Sequence, residues 1–220
     1  MISHEDILHA FHFRHACKAF DPSRRISDSD FGIILEAARL SPSSFGYEPW
    51  RIVVIQNAAL RERLLPVTWG AQKQLPSASH YVALLARRDG LTTDGEYVQH
   101  MLRDVLQFPP ERIALRSKTY QKFLEHDFHL LDSERALFDW ACRQSYIALA
   151  NMMTVAAMLG IDSCPVEGFE QEAAETVLAD AGIMVRQHWG LAVMAGFGYR
   201  VQAPAAKIRR SAEEVVQWVE

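Results

Sequence analysis

Basic side chains near the two ends of the chain have the clearest chemical use. Arg14 and Lys18 lie near the start, and Lys207 and Arg209 lie near the end. Guanidinium and ammonium groups bind oxyanions through charge-assisted hydrogen bonds. If the fold brings the two clusters together, they can capture one anionic group such as a phosphate. The alternative is that these charges are ordinary solvated groups of the surface.

The common signatures of catalysis are absent from the sequence. It contains no Walker phosphate loop, no GxSxG elbow and no HExxH pair. Gly196-Phe197-Gly198 begins like a dinucleotide-binding turn, but Val201 stands at the third glycine position, which favours a structural turn. The sequence therefore predicts no nucleophile or acid–base triad of its own.

Histidine pairs at i,i+3 spacing raise the question of a metal site. His9 with His12, and His126 with His129, could each share one ion on a helix face. No carboxylate or cysteine completes either ligand set. We therefore expect no metal.

Composition limits the class of protein. The chain has 220 residues, 49% of them apolar, which predicts one compact domain over residues 1–220. A net charge of −4 argues against nucleic-acid and anionic-membrane partners. The three cysteines form no CxxC pair, and the N-terminus lacks a signal peptide, so we expect a cytoplasmic protein.

The stretch from Tyr146 to Leu159 predicts a buried central helix. Its apolar side chains point in every helical direction, and it is too short for a membrane span. A chain of this size can surround such a helix only in part, so we expect a partner subunit. Gly160 can cap the helix, IDSCPV predicts a strand, and Glu167-Gly168 predicts an exposed turn that could hold a ligand.

Periodicity predicts an α+β fold with a mixed central sheet flanked by helices, because strands and helices do not alternate strictly. The middle region from Thr93 to Leu131 is polar, helical and interrupted by Phe108-Pro109-Pro110. Ser27 with Asp30 predicts a helix start. The other predicted elements are helices over His4–Phe13, Asp30–Leu40, Ala58–Leu65 and Gln171–Leu178, strands over Arg51–Gln56, His80–Ala86 and His188–Ala195, and an edge strand at the terminal VVQWV.

Five segments, taken in order, resemble the nitroreductase family of FMN-dependent NAD(P)H oxidoreductases, which includes oxygen-insensitive nitroreductases and dihydropteridine reductases. The resemblance extends over nearly the whole chain. The segments are RHACKAF (Arg14–Phe20), SPSSFGYEPW (Ser41–Trp50), WGAQKQLPSASH (Trp69–His80), IALANMMTVAAMLGIDSCPVEGF (Ile147–Phe169) and KIR (Lys207–Arg209).

The resemblance implies a nitroreductase-like FMN fold and a homodimer with two FMN sites at the subunit interface, beside the central helix. By that analogy Arg14, Lys207 and Arg209 hold the FMN phosphate, with His15 and Ala16 nearby, and Lys18 reaches the pyrimidine side of the ring. The remaining implied contacts are Pro42, Ser43 and Ser44 of the partner subunit, the segment with Ala71, Gln72 and Gln74, and the turn Pro165, Val166, Glu167 and Gly168, whose backbone N–H points at flavin N5.

The implied activity is reduction of nitroaromatics, quinones or other electron-poor small molecules, with NADH or NADPH as donor and ping-pong kinetics. A cation near N1 favours the reduced flavin, which suits Lys18. Alternatives on the same fold are dehydrogenation, dehalogenation or flavin cannibalisation, and a non-catalytic flavin-binding dimer. The middle region is least like the family. Its Phe123, Leu124 and Phe128 are candidates for an aromatic pocket wall, with core or dimer packing as the alternative.

Overall fold

A four-stranded sheet lies at the centre of the computed structural model, which describes residues 2–220. Its strands are β1 (Trp50–Val54), β2 (His80–Arg87), β3 (Asp162–Val166) and β4 (Trp189–Gly198), in the order β1-β2-β4-β3. The helices are α1 (His4–Phe13), α2 (Asp28–Arg39), α3 (Ala58–Leu64), α4 (Gln74–Ser77), α5 (Glu96–His100), α6 (Pro110–Lys122), α7 (Glu134–Met158), α8 (Gln171–Asp180) and α9 (Ala212–Val215).

The prediction of an α+β fold is confirmed, but the prediction of a mixed sheet is wrong. All three strand pairings are antiparallel. The helical connections after β1 and after β3 each bring the next strand back in the opposite direction. Strand direction depends on these connections, and the periodicity of a single strand does not reveal it. The parallel contact found outside the named strands is the single bridge between Ala16 and Ser163.

Strand β2 is buried on both faces, which explains its continuous apolar sequence. Tyr81, Ala83 and Leu85 belong to the apolar cluster that includes residues of α3, α4 and α8. Val82 and Leu84 belong to the cluster that includes residues of α2 and α7. The sheet is therefore covered by helices on both sides.

Helix α7 is longer than predicted, because it begins at Glu134 rather than near Tyr146. The Ser133 side chain accepts a hydrogen bond from the backbone N–H of Ala136 and caps this start. Its buried positions include Ala141, Ala148, Leu149, Met152 and Ala156, whereas Tyr146, Ile147 and Met158 remain 37%, 39% and 46% exposed. The chain thus covers one side of the helix and leaves apolar groups open on another.

The middle region forms an apolar cluster of its own. Helices α5 and α6 each continue into a π-helical turn, Met101–Val105 and Phe123–Asp127. Tyr120 and Leu102 pack there against Trp140 from the first half of α7. The break predicted at Phe108-Pro109-Pro110 is confirmed by the start of α6 at Pro110.

The predicted edge strand at the terminal VVQWV is wrong. Ser211 and Glu214 form a capping box, and one helical turn follows over Ala212–Val215. Residues 216–220 pair with no strand among the described residues, and Trp218 is 86% exposed. A β-branched sequence forms a strand only where it reaches the edge of a sheet, and residues 216–220 pair with neither edge strand, β1 or β3.

No helix within residues 2–220 combines the length and the apolar character that a membrane crossing requires.

Candidate functional site

The basic groups from the two ends of the chain lie together, as the sequence predicted they could. The Lys207 ammonium donates hydrogen bonds to the carbonyl oxygens of Phe11 and Arg14. Partial burial, and then the positive charges of Arg14 and Arg209, lower the pKa of Lys207. The Arg209 guanidinium donates to the carbonyl oxygen of Ile208, 2.6 Å away, and lies at the surface. Three positive charges in one place favour the binding of an anion there.

A buried ion pair holds the segment after α1 against the sheet. The Asp162 carboxylate lies 2.6 Å from an Arg200 guanidinium nitrogen and accepts the Arg200 backbone N–H at 2.8 Å. The same guanidinium donates to the Phe13 carbonyl oxygen at 3.2 Å and covers the Phe13 ring at 4.1 Å. Asp162 and Arg200, which sequence reasoning missed, therefore position the backbone that leads to Arg14 and Lys18. An acidic residue at the start of a short predicted strand was the available signal.

The segment from His15 to Lys18 runs along the edge of β3. Ala16 forms a bridge with Ser163, whose carbonyl oxygen accepts the Cys17 N–H at 3.1 Å. Burial, followed by the charge of Arg200, lowers the pKa of His15. This backbone lines a cleft of about 290 Å³ whose other walls are Lys73 and residues 200–205. The predicted residues 15, 16 and 18 thus share one concave surface.

Lys18 and Gln74 meet at the thiol of Cys164 on β3. The Lys18 ammonium lies 3.6 Å from Cys164 Sγ, and the amide nitrogen of the buried Gln74 lies 3.3 Å from it. A thiol sulfur is a weak acceptor for these two donors. Both side chains therefore keep capacity for a stronger acceptor such as a carbonyl oxygen.

The predicted turn Glu167-Gly168 follows the end of β3 at Val166 and lies against the segment that contains Ala71. The Gly70 N–H donates to the Gly168 carbonyl oxygen at 2.7 Å. Ala71 is fully buried. The Tyr146 hydroxyl on α7 donates to the Glu167 carboxylate, which raises the pKa of Tyr146 in addition to the larger effect of burial.

Gln72 is placed differently from Gln74. Its amide donates to the carbonyl oxygens of Leu65, at 2.7 Å, and Thr68, at 3.0 Å. The side chain therefore braces its own segment in this structure.

The loop with Pro42, Ser43 and Ser44 lies on another side of α7. Ser43 Oγ accepts the Glu48 N–H at 2.9 Å, and the Ser44 N–H donates to Gln144 Oε1 at 2.9 Å. Gln144 and Tyr146 are separated by about 200° around the helix, since successive residues turn by about 100°. The structure thus brings residues 14–18, 70–74, 165–168 and 207 together but leaves residues 42–44 of the same chain apart.

The aromatic candidates of the middle region divide by burial. Leu124 is fully buried beside Tyr120, which fits the core-packing alternative rather than a pocket wall. The Phe123 ring is partly buried, with its centroid 4.6 Å from that of Phe128 and 5.0 Å from that of Phe45. Phe128 is 54% exposed and remains open to a ligand or a partner.

His15, Cys17 and Asp162 place their ligand atoms within 4.8 Å of one another, which resembles a metal site. The Arg200 guanidinium already neutralises the Asp162 carboxylate. Burial raises the pKa of the Cys17 thiol to about 11, which disfavours the thiolate form that a metal ligand takes. The group acts as a structural ion pair with two polar neighbours.

The fold agrees with the comparisons with known proteins. The model of the nitroreductase family matches residues 12–199, and the chain belongs to that family. Its relatives include a Staphylococcus epidermidis protein, 51% identical over 217 residues and 98% of each chain, and a Bacillus subtilis protein, 49% identical over 214 residues and 97% of each chain. Both bear the name "Putative NAD(P)H nitroreductase".

Solved structures show the same fold. A nitroreductase-like protein from Streptococcus mutans has a TM-score of 0.80 and 23% identity, covering 99% of this chain and 100% of that one. A structure from Exiguobacterium sibiricum, in complex with FMN, has a TM-score of 0.76 and 22% identity, covering 100% of this chain and 98% of that one. The predicted family and nitroreductase-like fold are confirmed.

Proposed function

We propose that this chain is an FMN-dependent NAD(P)H oxidoreductase that reduces nitroaromatics, quinones or related electron-poor small molecules. The observation that carries the proposal is the convergence of Arg14, Lys207 and Arg209 beside the segment 15–19 that lines the cleft, together with the meeting of Lys18 and the buried Gln74 at Cys164. The names of its close relatives as NAD(P)H nitroreductases, and the FMN in a solved structure of the same fold, support the same conclusion.

The residues present fit FMN in charge and in hydrogen bonding. Burial, and then repulsion from Arg14 and Arg209, lowers the pKa of Lys207, and a phosphate dianion among the three cations would offset that repulsion. Gln74 is buried, and its amide N–H points at a thiol sulfur, so a flavin carbonyl oxygen would be a better acceptor. The three cations therefore suit a phosphate, and Lys18 with Gln74 suits the polar edge of a ring.

When bound, FMN supplies a centre that accepts hydride from NADH or NADPH and donates it to a second substrate. The protein contributes placement and charge. Lys18 brings a cation to the pyrimidine side, where it favours the reduced, anionic ring. The backbone N–H groups of Glu167 and Gly168 would orient the ring without adding a competing acid. One open ring face that serves both substrates in turn implies ping-pong kinetics.

A homodimer completes this proposal. Tyr146, Ile147 and Met158 leave an apolar side of α7 open, and Trp218 and Val219 are exposed in the tail. A second copy of the chain would cover these groups, since large exposed apolar patches mark interfaces. Because residues 42–44 lie apart from the cleft of their own chain, Pro42, Ser43 and Ser44 of the partner subunit are proposed to complete each site.

The test is anaerobic spectroscopy followed by steady-state kinetics. Purified protein with FMN should show a flavin spectrum that bleaches on addition of NADPH or NADH and returns on addition of a nitroaromatic or a quinone. Initial rates at several donor concentrations should give parallel double-reciprocal lines. A bound flavin that neither nicotinamide reduces would favour another flavin reaction or a binding role, and would contradict the proposed reductase.

A further inference from the structure

Two glycines, 98 positions apart in the sequence, meet where the segment before Ala71 contacts the segment after β3. An ideal Cβ on Gly70 would lie 2.8 Å from Gly168 Cα, and one on Gly168 would lie 2.7 Å from Gly70 Cα. Both distances are shorter than real Cβ contacts, and the atoms encountered belong to the backbone. Neither position can carry a side chain while the two segments stay where they are.

Backbone conformation does not explain these glycines. The described glycines with positive φ are Gly46, Gly90, Gly160 and Gly182, and neither member of the pair is among them. An alanine could adopt the backbone angles of Gly70 or Gly168. Glycine is therefore required at both positions only because two backbone segments of the chain approach each other closely, which is a common reason for glycine.

Hydrogen bonds fix this approach on both sides of the contact. The Gly70 N–H donates to the Gly168 carbonyl oxygen at 2.7 Å, and the Glu170 N–H donates to the Val67 carbonyl oxygen at 2.9 Å. The Trp69 ring closes the third side, with Cε3 3.0 Å from the ideal Cβ of Gly168. The two segments are thus held face to face, with no side chain between them.

Each segment leads directly to proposed flavin contacts. Gly168 lies two residues beyond the end of β3 at Val166, in the turn Glu167-Gly168, and Gly70 precedes Ala71 and Gln74. A displacement of one segment from the other changes the distance between the backbone of this turn and the Gln74 amide. We infer that Gly70 is a positioning residue, which sets where the turn Glu167-Gly168 lies relative to a bound flavin ring. This inference rests on the proposed function.

The substitution Gly70→Ala tests the inference in the FMN-loaded protein. One added methyl group must push the turn away, since overpacking a tight contact moves the backbone. We expect the dissociation constant for FMN to rise about 10-fold or more, with shifts in the flavin absorption spectrum and in its midpoint potential. A purely structural role would lower the thermal midpoint and leave the spectrum and potential of the bound flavin unchanged.

Gly32→Ala is the matched control. Gly32 lies in α2 with no heavy atom within 4 Å of its ideal Cβ, and its φ is not positive. This variant should bind FMN as the wild-type protein does. A Gly70→Ala protein with wild-type affinity, spectrum and potential would overturn the inference.

Hydrogen exchange of the wild-type protein covers the case in which Gly70→Ala does not fold. Exchange of the Gly70 amide, which bonds to the turn, should slow when FMN binds. Unchanged exchange would overturn the inference while leaving flavin binding intact. Wild-type protein that binds no FMN at all would instead contradict the proposed function, and the inference with it.

Discussion

Two regions of this molecule use opposite means to hold their residues. The cleft region, residues 13–18, 67–74, 162–170 and 200–209, is assembled by backbone hydrogen bonds, a buried ion pair and a glycine contact. The aromatic region, residues 45–47, 120–128 and 137–141, is assembled by ring packing around Tyr120, with centroids 4.8 to 6.2 Å apart. Where backbone contacts hold the segments together, the functional groups of Arg14 and Lys18 stay available for a ligand. Where ring packing holds them together, the side chains are themselves part of the core.

The largest effect we expect comes from breaking the ion pair of the cleft region. Arg200→Ala leaves the Asp162 carboxylate buried and without its guanidinium, and loss of one partner of a buried pair costs about 3–5 kcal/mol. The free energy of unfolding from urea titration measures this loss. Arg39→Ala, which breaks the exposed pair with Glu36, is the control and should cost less than about 1 kcal/mol. If the free energy of unfolding fell equally in the two variants, the ion pair would not have the structural role given to it here.

The aromatic region should respond in stability and not in flavin affinity. Leu124→Ala opens a cavity at a fully buried position and should lower the free energy of unfolding by about 2–5 kcal/mol. The dissociation constant for FMN should stay within about twofold of the wild-type value, a change of under 0.5 kcal/mol. Phe128→Ala, at an exposed neighbour, is the matched variant with little expected loss of stability. If Leu124→Ala weakened FMN binding while Phe128→Ala did not, Leu124 would belong to the pocket wall after all.

The smallest expected effect is a pH dependence in the cleft region. Burial raises the pKa of Cys17 from 9.0 to about 11, so above pH 9 the unfolded chain loses a proton that the folded chain keeps. Stability from this group is complete below pH 9 and falls until pH 11, by about 1.4 kcal/mol at pH 10. The difference in urea midpoint between wild-type protein and Cys17→Ala, at pH 8 and at pH 10, isolates this contribution. An unchanged difference between the two pH values would show that the thiol titrates normally.

Local patterns predicted much of the fold. The apolar run His80–Ala86 became β2 and the predicted start at Ser27 became the cap of α2, because each depends on neighbouring residues alone. The mixed sheet and the terminal edge strand were wrong, because strand direction and strand partners depend on distant parts of the chain. The start of α7 at Glu134 was missed, since its first turns pack against the aromatic region rather than the sheet.

The candidate site, like the fold, could be predicted only in part from the sequence. The union of Arg14 with Lys207 followed from residue types and family resemblance, and the structure places them together. The pairing of Asp162 with Arg200 and the contact of Gly70 with Gly168 are between segments remote in sequence. No local pattern identifies either pair, because each requirement is set by the partner residue.

A titration with FMN and with riboflavin tests the central claim, that the two chain ends form a phosphate site for a flavin. Apo-protein should bind FMN at least about 10-fold more tightly than riboflavin, because a charge-assisted phosphate contact contributes about 1.5–3 kcal/mol. Arg209→Ala should lose much of this preference, and Arg210→Ala, its exposed neighbour, should keep it. Equal affinities for FMN and riboflavin in the wild-type protein would contradict the account.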